Sequence, residues 1–296
     1  RIGDKDVRAS VLDDLTSYFH IAEEEAIRRA INWEQWSVQE WHAKPRDTTD
    51  QITEFYRSMD SWCYELLWHA YLQAEGFAFP VSAVLASSVP AKPGMRHLDL
   101  GSGVGATSQL FQRLGYETDL ADISTSLLKF ARYRLERRGI PAAFIDLNHE
   151  LPPADRYDVV TAIYTLAHVP DVAATARMLH RAMRPNAVLF ADFDVRPASP
   201  ENAWHLYSED LPLRWQLQRA GFEPEAIFGS NIIRYRRVDT ASRAHMIHGA
   251  RDLILLRSPL RPLYRTLKSY ARRALRRRPN QTPVTRHESP EQEQNR

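Results

Sequence analysis

The chain has 296 residues, 44% of them hydrophobic, and a formal net charge of +2. This length allows one large core with a smaller addition, because single cores stop growing at about 250–300 residues. The single cysteine, Cys63, excludes an internal disulfide, and no run of about 20 apolar residues is present to span a membrane. These features predict a cytoplasmic protein with one main domain.

The charge is distributed unevenly along the chain. Residues 251–296 hold 12 Lys and Arg against 4 Asp and Glu, a balance of +8, whereas residues 1–250 hold 27 against 33. The acidic charge of residues 1–250 argues against nucleic-acid binding over the whole surface. The basic residues 251–296 still allow local binding to an anionic partner.

Residues 1–90 predict a helical cap that covers a substrate. Apolar residues recur near a 3.6-residue period over 10–42 and again over 53–75, so two helices are expected. Five of the seven tryptophans precede residue 70, and aromatic residues at this spacing are most often core. The alternative is that some of them line a substrate pocket, for which the candidates are Tyr56, Trp62 and Trp68.

Residues 91–240 alternate short β-rich runs with amphipathic helices, which is typical of a parallel sheet covered on both faces. Five strands are expected, at residues 96–100, 117–121, 142–145, 158–164 and 187–193. Two further strand-like runs, 225–228 and 232–238, are separated by only three residues. Because that gap is too short for a parallel crossover, the pair is predicted to be an antiparallel hairpin.

The most informative segment is HLDLGSGVGA, residues 97–106, in which an apolar strand runs into Gly101, Gly103 and Gly105 at a helix start. Such a loop cradles a nucleotide, because glycine lets the backbone turn tightly and lie against a ligand. The glycines alone fit either NAD(P) or S-adenosylmethionine (SAM). Asp99 favours SAM, since a carboxylate there would repel a pyrophosphate but suits an ammonium group.

Two more acids end the next two predicted strands. Asp122, 21 residues after Gly101, can accept hydrogen bonds from ribose hydroxyls, which serves NAD(P) and SAM equally. Asp146 can accept from an adenine amino group while its apolar neighbours flank the ring. The structural alternatives are a helix-capping role for Asp122 and a solvent-facing loop position for Asp146.

Together these segments resemble the class I SAM-dependent methyltransferase family over residues 93–240. The resemblance rests on HLDLGSGVGA, ETDLADIS, FIDLNHELP, YDVVTAIYTLAHVPD and LHRAMRPNAVLFADFD, the last with Asn186 and Ala187 replacing the usual pair of glycines. It implies an α/β, doubly wound seven-stranded sheet of order 3-2-1-4-5-7-6 with the last strand antiparallel. It also implies a SAM site in which the methionine portion is held by Asp99, Gly101, Gly103 and Gly105, the ribose by Asp122, and the adenine by Ile123, Asp146 and Leu147.

The methyl acceptor is expected to be a small molecule, a sugar or a lipid that offers an O, N or C nucleophile between the cap and the strand ends. His168 is the candidate general base, needed only if the acceptor must lose a proton; otherwise it contacts the cofactor or braces its loop. His205 and Tyr207 are further pocket candidates. The segment after the fourth predicted strand reads TLAHVP, which differs from the turn found in enzymes that methylate the exocyclic amines of nucleobases. It also lacks the cysteine nucleophile that cytosine C5 methylation needs, so DNA bases are not expected substrates. No Cys/His spacing suggests a metal.

Residues 241–278 predict a basic amphipathic helix, in which apolar and basic side chains interleave over 252–278. The pattern suits peripheral contact with an anionic membrane, or packing on the body with a solvated arginine face; contact with RNA is a third reading. Residues 279–296 are rich in Pro, Gln and Glu and are predicted to be disordered.

Two other functions stay open at the level of sequence. An NAD(P)-dependent oxidoreductase would share the glycines and Asp122 but not require Asp99 or Asp146, and its Tyr-x-x-x-Lys motif occurs only as Tyr264 and Lys268, beyond the predicted sheet. The other is a SAM-binding, membrane-associated regulator without turnover.

Overall fold

A computed structural model of the chain describes residues 6–267 apart from positions 46, 91, 93, 197–204, 229–230, 241, 260 and 265. One compact unit, Arg1–Ser258, holds the amino-terminal helices, the sheet and the helix after it; the second unit is Pro259–Arg296. The segment predicted to be disordered, 279–296, lies outside the described residues. None of the described helices is long and apolar enough to cross a membrane.

Six helices precede the sheet: α1 (Val7–Phe19), α2 (Glu23–Ile31), α3 (Trp33–Ala43), α4 (Thr49–Ser58), α5 (Ser61–Ala74) and α6 (Val81–Ser87). The prediction of two continuous helices is therefore wrong. His20 takes a left-handed conformation with φ 53° and ends α1, and Met59 is extended and separates α4 from α5. The apolar period continues across these breaks because the consecutive helices pack on a shared core.

Seven strands form one sheet: β1 (Arg96–Leu100), β2 (Glu117–Asp122), β3 (Ala143–Asp146), β4 (Tyr157–Ala162), β5 (Met183–Asp192), β6 (Phe222–Phe228) and β7 (Ile232–Arg237). Their order is β3-β2-β1-β4-β5-β7-β6. The first five strands pair in parallel, and β7 is antiparallel to both of its neighbours. The α/β sheet, its strand order and the terminal hairpin are confirmed.

The crossover helices are α7 (Ala106–Arg113), α8 (Thr125–Glu136), α9 (Val172–Ala182) and α10 (Leu211–Arg219). Ser124 and Asp171 cap α8 and α9, because each side chain accepts a hydrogen bond from a backbone N–H in the first turn. Since the parallel strands all end at the same edge of the sheet, this edge collects the loops that carry the predicted site.

The cap and the last helix both pack on this body. In the cap, α5 contacts α1, α2, α3 and α8. Helix α11 (Arg243–Arg257) lies against α10 and β6, where the buried carboxylate of Asp252 accepts hydrogen bonds from Arg214 at 3.1 and 3.2 Å. The amino-terminal helices and α11 therefore belong to the same folded unit as the sheet.

Candidate active site

The glycine loop begins where β1 ends. Gly101, Gly103 and Gly105 have φ values of +65°, +52° and +73°, a region that other residues rarely adopt. A Cβ at Gly101 would lie 2.3 Å from the Thr165 hydroxyl oxygen, and one at Gly103 would lie 2.6 Å from Leu66 Cδ1. The loop after β4 and the cap helix α5 thus both close on the glycine backbone.

Asp122, the last residue of β2, holds this loop in place. Its two carboxylate oxygens accept hydrogen bonds from the backbone N–H groups of Gly103 at 2.9 Å and Ser124 at 2.8 Å. The side chain is buried, and burial raises its pKa despite these bonds. Each oxygen keeps a second lone pair, so the carboxylate can accept further hydrogen bonds from a ligand lying on the loop.

Asp99 lies at the centre of a buried network below the glycine loop. Its oxygens accept hydrogen bonds from the hydroxyls of Ser108 and Thr161, both at 2.8 Å. Because Thr161 donates its only hydrogen to Asp99, it accepts from His97 Nε2, 2.8 Å away. Burial raises the pKa of Asp99 to about 7 and lowers that of His97 to about 3. His97 is therefore neutral, and Asp99 sits near its point of ionisation at neutral pH.

The ends of β2 and β3 are connected to the cap. Asn148 donates from its side-chain amide to the Ile123 carbonyl at 2.9 Å and to Asp146 at 2.6 Å, and accepts from Arg57 of α4 at 2.9 and 3.2 Å. Burial alone would raise the pKa of Asp146, but hydrogen bonds from Asn148 and Thr125, together with His149, leave the pKa lowered. Leu147 packs against the sheet core, and its N–H bonds to the Asp122 carbonyl. The residues predicted for adenine thus lie together under the cap.

Four rings meet where the cap faces the loop after β4. The ring centroid of His168 lies 4.7 Å from that of His205, 5.9 Å from that of Trp62 and 6.1 Å from that of Tyr56. Within the described part of the chain, the buried indole N–H of Trp62 has no hydrogen-bond acceptor. We call these residues, Tyr56, Trp62, His168 and His205, the ring cluster.

The other two pocket candidates lie elsewhere. The Tyr207 hydroxyl is 3.0 Å from the carbonyl oxygens of both Val169 and Pro170, so this side chain braces the loop after β4. Trp68 stacks on Tyr71 with ring centroids 5.5 Å apart and packs with the core shared by α1, α2 and α8. The structure does not bring Trp68 to the ring cluster.

Three polar residues at this edge were missed by the sequence reasoning. Asp192, the last residue of β5, is fully buried and accepts a hydrogen bond from the Tyr164 N–H at 2.7 Å. Burial raises its pKa to about 8. An acid at a strand end is the signal that identified Asp99 and Asp122, and it would have found Asp192 too. Asn148 and Glu65 act across the boundary between cap and sheet, which no local pattern records.

The residues present fit SAM. The Ser102 hydroxyl, in the middle of the glycine loop, is buried and, among the residues that the structure describes, has no hydrogen-bond partner. A buried hydroxyl is normally paired, so a polar group of a ligand is expected beside it. The lone pairs of Asp122 are suited to ribose hydroxyls, and the ionised form of Asp99 is suited to an ammonium group.

The sheet order, the antiparallel last strand and the acid-glycine edge define a class I methyltransferase. Residues 72–227, more than half of the chain, match a methyltransferase domain family. The chain belongs to this family of methyltransferase domains.

Among curated proteins, the chain is 37% identical over 106 residues to the ubiquinone/menaquinone biosynthesis C-methyltransferase UbiE of Shewanella oneidensis. The match covers 33% of this chain and 42% of that protein, so the chain spans less than half the length of the curated relatives it matches.

Two solved structures are similar at 20% identity. One is described as a putative methyltransferase from Bacillus halodurans, with 49% of this chain and 70% of that chain covered and a TM-score of 0.44. The other is a SAM-dependent methyltransferase from Mesorhizobium loti, with 52% and 96% covered and a TM-score of 0.43.

Proposed function

We propose that the protein transfers the methyl group of SAM to a small aromatic acceptor bound between the cap and the strand ends. The observation that carries the proposal is the ring cluster. Its flat faces favour a planar ring by stacking, and the Trp62 N–H offers a donor to an oxygen on that ring. Of the acceptors that the sequence left open, a ring-bearing small molecule suits these walls better than a sugar or an acyl chain.

The relative from Shewanella oneidensis supports a carbon acceptor on a quinone-type ring, since its name describes C-methylation in quinone biosynthesis. The region of similarity is 106 residues long. The ring cluster therefore supports an aromatic acceptor more strongly than this relative does.

In the proposed mechanism, the chain positions the reactants and removes a proton. Asp99, Ser102 and the glycine loop bind the methionine portion, Asp122 the ribose, and Ile123, Asp146 and Leu147 the adenine. When bound, SAM supplies an electrophilic methyl group on a positively charged sulfur. The cap covers the strand ends and excludes water, which favours orientation and desolvation of the nucleophile. His168, within the ring cluster, accepts a proton from the acceptor.

Calorimetry and a transfer assay test the proposal together. We expect SAM and its demethylated product to bind and NADPH not to bind, and we expect methyl transfer to hydroquinones and phenols but not to sugars. His168→Asn should lower kcat by about 100-fold or more with SAM affinity unchanged. Binding of NADPH without SAM would overturn the methyltransferase assignment, and transfer to sugars alone would overturn the aromatic acceptor.

We also propose that α11 contacts an anionic membrane, where an apolar ring substrate would partition. At about 100° per residue, the face opposite buried Asp252 carries three exposed apolar side chains and flanking arginines. They are Met246, Ile247 and Ile254 with Arg243 and Arg257. The single helix predicted over 252–278 is wrong, because α11 ends at Arg257 and Ser258 is extended. The part of the prediction beyond residue 267 lies outside the described residues.

Vesicle flotation tests this contact. Replacing Ile247 and Ile254 together by Glu should reduce binding to vesicles that contain phosphatidylserine. The matched control replaces Ile31 and Ile227, two exposed isoleucines outside α11, by Glu. If both double variants and the parent protein floated equally well, the proposed membrane contact of α11 would be wrong.

A further inference from the structure

One face of α5 lies along the carboxyl edge of the sheet. Trp62, Glu65, Leu66 and His69 fall within an arc of about 100° on this helix. The Trp62 ring contacts His168 after β4, and Leu66 packs against Gly103 after β1. Glu65, the only acid of α5, lies on the same helix face as Trp62 and Leu66.

The Glu65 side chain is only 19% exposed, and Oε1 lies 3.9 Å from His69 Nε2. Two other charged groups act on it: Arg196, beyond the end of β5, attracts its ionised form, and Glu34 of α3 disfavours it. Burial is stronger than either and raises the pKa of Glu65 to about 8. Within the described residues, no hydrogen bond engages this carboxyl group.

Arg196 extends the cluster towards the sheet. It forms an ion pair with Asp194 at 2.6 Å and interacts electrostatically with Glu65 and with Tyr164 in the loop after β4. The cap helix and the loop after β4 therefore bring an acid and a phenol within electrostatic range of Arg196, which follows β5. A simple surface ion pair does not account for Glu65, because its carboxyl is largely buried and the short contact of Arg196 is with Asp194.

The chemistry of the acceptor calls for a second proton-transfer group. Methylation at a carbon of a phenolic ring moves two protons, one from the hydroxyl as the ring carbon attacks and one from that carbon afterwards. The two protons leave from different positions on the ring, so one base is poorly placed for both. His168 supplies one such group, and Glu65 lies about one helical turn after Trp62 of the ring cluster on α5.

We propose that Glu65 accepts the hydroxyl proton of the acceptor and that Arg196 stabilises the resulting oxyanion; this rests on the proposed aromatic acceptor. The O–H bond breaks and its proton passes to the Glu65 carboxylate. The electron pair released into the ring forms the bond from the ring carbon to the methyl carbon, whose bond to sulfur breaks and leaves its pair on sulfur. The proton on the methylated ring carbon then passes to His168, and the electron pair of that C–H bond restores the aromatic ring. The oxygen is thereby an oxyanion again, and it regains its proton from Glu65.

A chromogenic phenol tests the site without SAM. We would titrate 4-nitrophenol bound to the full-length protein and read its ionisation from the absorbance. Arg196→Met should raise the pKa of the bound phenol by about one unit or more, because an opposite charge nearby favours the ionised form. In the parent protein, the proton that the phenol loses should be taken up by the protein. Glu65→Gln should remove this uptake. An unchanged phenol pKa in Arg196→Met, or unchanged proton uptake in Glu65→Gln, would overturn the assignment.

Turnover gives a second readout. The pH profile of kcat should rise through about 8 in the parent protein, as Glu65 ionises. Glu65→Gln should lower kcat by about 100-fold and abolish the rise of kcat with pH. Glu65→Asp should keep this rise but with a reduced kcat. The control is Glu75→Gln, at the exposed end of the same helix. If the parent methylates phenols and Glu65→Gln keeps the same profile, the inference fails alone; if the parent binds SAM but methylates no phenol, the proposed function fails first.

Discussion

Asp14 of the first cap helix and Arg134 of α8 form an ion pair with 2.9 Å between Oδ2 and Nε, and their side chains are 1% and 3% exposed. Arg134 also donates to the carbonyl of Val104 in the glycine loop, and Arg138 adds a second contact to Asp14 at 2.7 Å. One guanidinium thus joins the cap, a crossover helix and the cofactor loop. The cap is therefore part of the folded core that positions the site.

Asp14→Ala should lower the free energy of unfolding by about 3–5 kcal/mol, because it leaves the Arg134 charge buried without its carboxylate. Urea denaturation followed by tryptophan fluorescence measures this change. The control is Asp13→Ala, which breaks the more exposed pair with Arg137 and should cost less than about 1 kcal/mol. Similar costs for the two variants would contradict a buried role for Asp14.

Gly101→Ala should destabilise the protein more than the left-handed backbone alone requires. Gly139 has a similar φ of +61° with nothing within 4 Å of its Cβ position, so Gly139→Ala isolates the conformational cost of about 1–2 kcal/mol. At Gly101 the added methyl also meets Thr165, which donates to the Leu100 carbonyl at 3.0 Å. In thermal unfolding, the Tm of Gly101→Ala should lie well below that of Gly139→Ala. The reverse order would contradict close packing between Gly101 and Thr165.

SAM affinity should depend on the protonation of Asp99. Because burial raises the pKa of Asp99 to about 7, this carboxyl is mainly protonated below that pH, and a cationic ligand must displace the proton. Affinity measured by calorimetry should fall as the pH is lowered from about 7.5 to about 5.5, a range in which an amino group stays charged. Asp99→Asn should bind SAM more weakly with little dependence on pH.

Methylthioadenosine is the matched ligand for this experiment, since it has the adenosine portion without the amino group. Its affinity should stay flat over the same range. A parallel fall for both ligands would place the titrating group elsewhere.

The strand ends could be predicted because their signals are local. Asp99, Asp122 and Asp146 each follow a short apolar run, and a parallel sheet gathers such positions at one edge. The first half of β6 was missed because Pro224 lies within it; the strand is at the edge of the sheet, where proline is tolerated.

The cap could not be predicted to the same depth. Its decisive contacts join residues far apart in the chain, as between Arg57 and Asn148, which are 91 positions apart. Periodicity also leaves open which apolar face of α5 meets the sheet. Trp62 and Trp68 carry the same signal in the sequence, yet only Trp62 reaches His168.

Asp122→Asn should reduce SAM affinity by about 10- to 100-fold, because an amide cannot accept on both sides and the carboxylate is expected to bind the ribose hydroxyls. Asp119→Asn is the control: Asp119 lies on the same strand and is equally buried, 6% exposed, but accepts from Tyr157 and Arg156 away from the glycine loop. Both variants should lose stability, since each weakens buried hydrogen bonds. Calorimetry with SAM separates them, because only Asp122 combines the loop contact with lone pairs open to a ligand. If the two variants bound SAM equally well, Asp122 would serve to hold Gly103 in place and the ribose would be bound by another group.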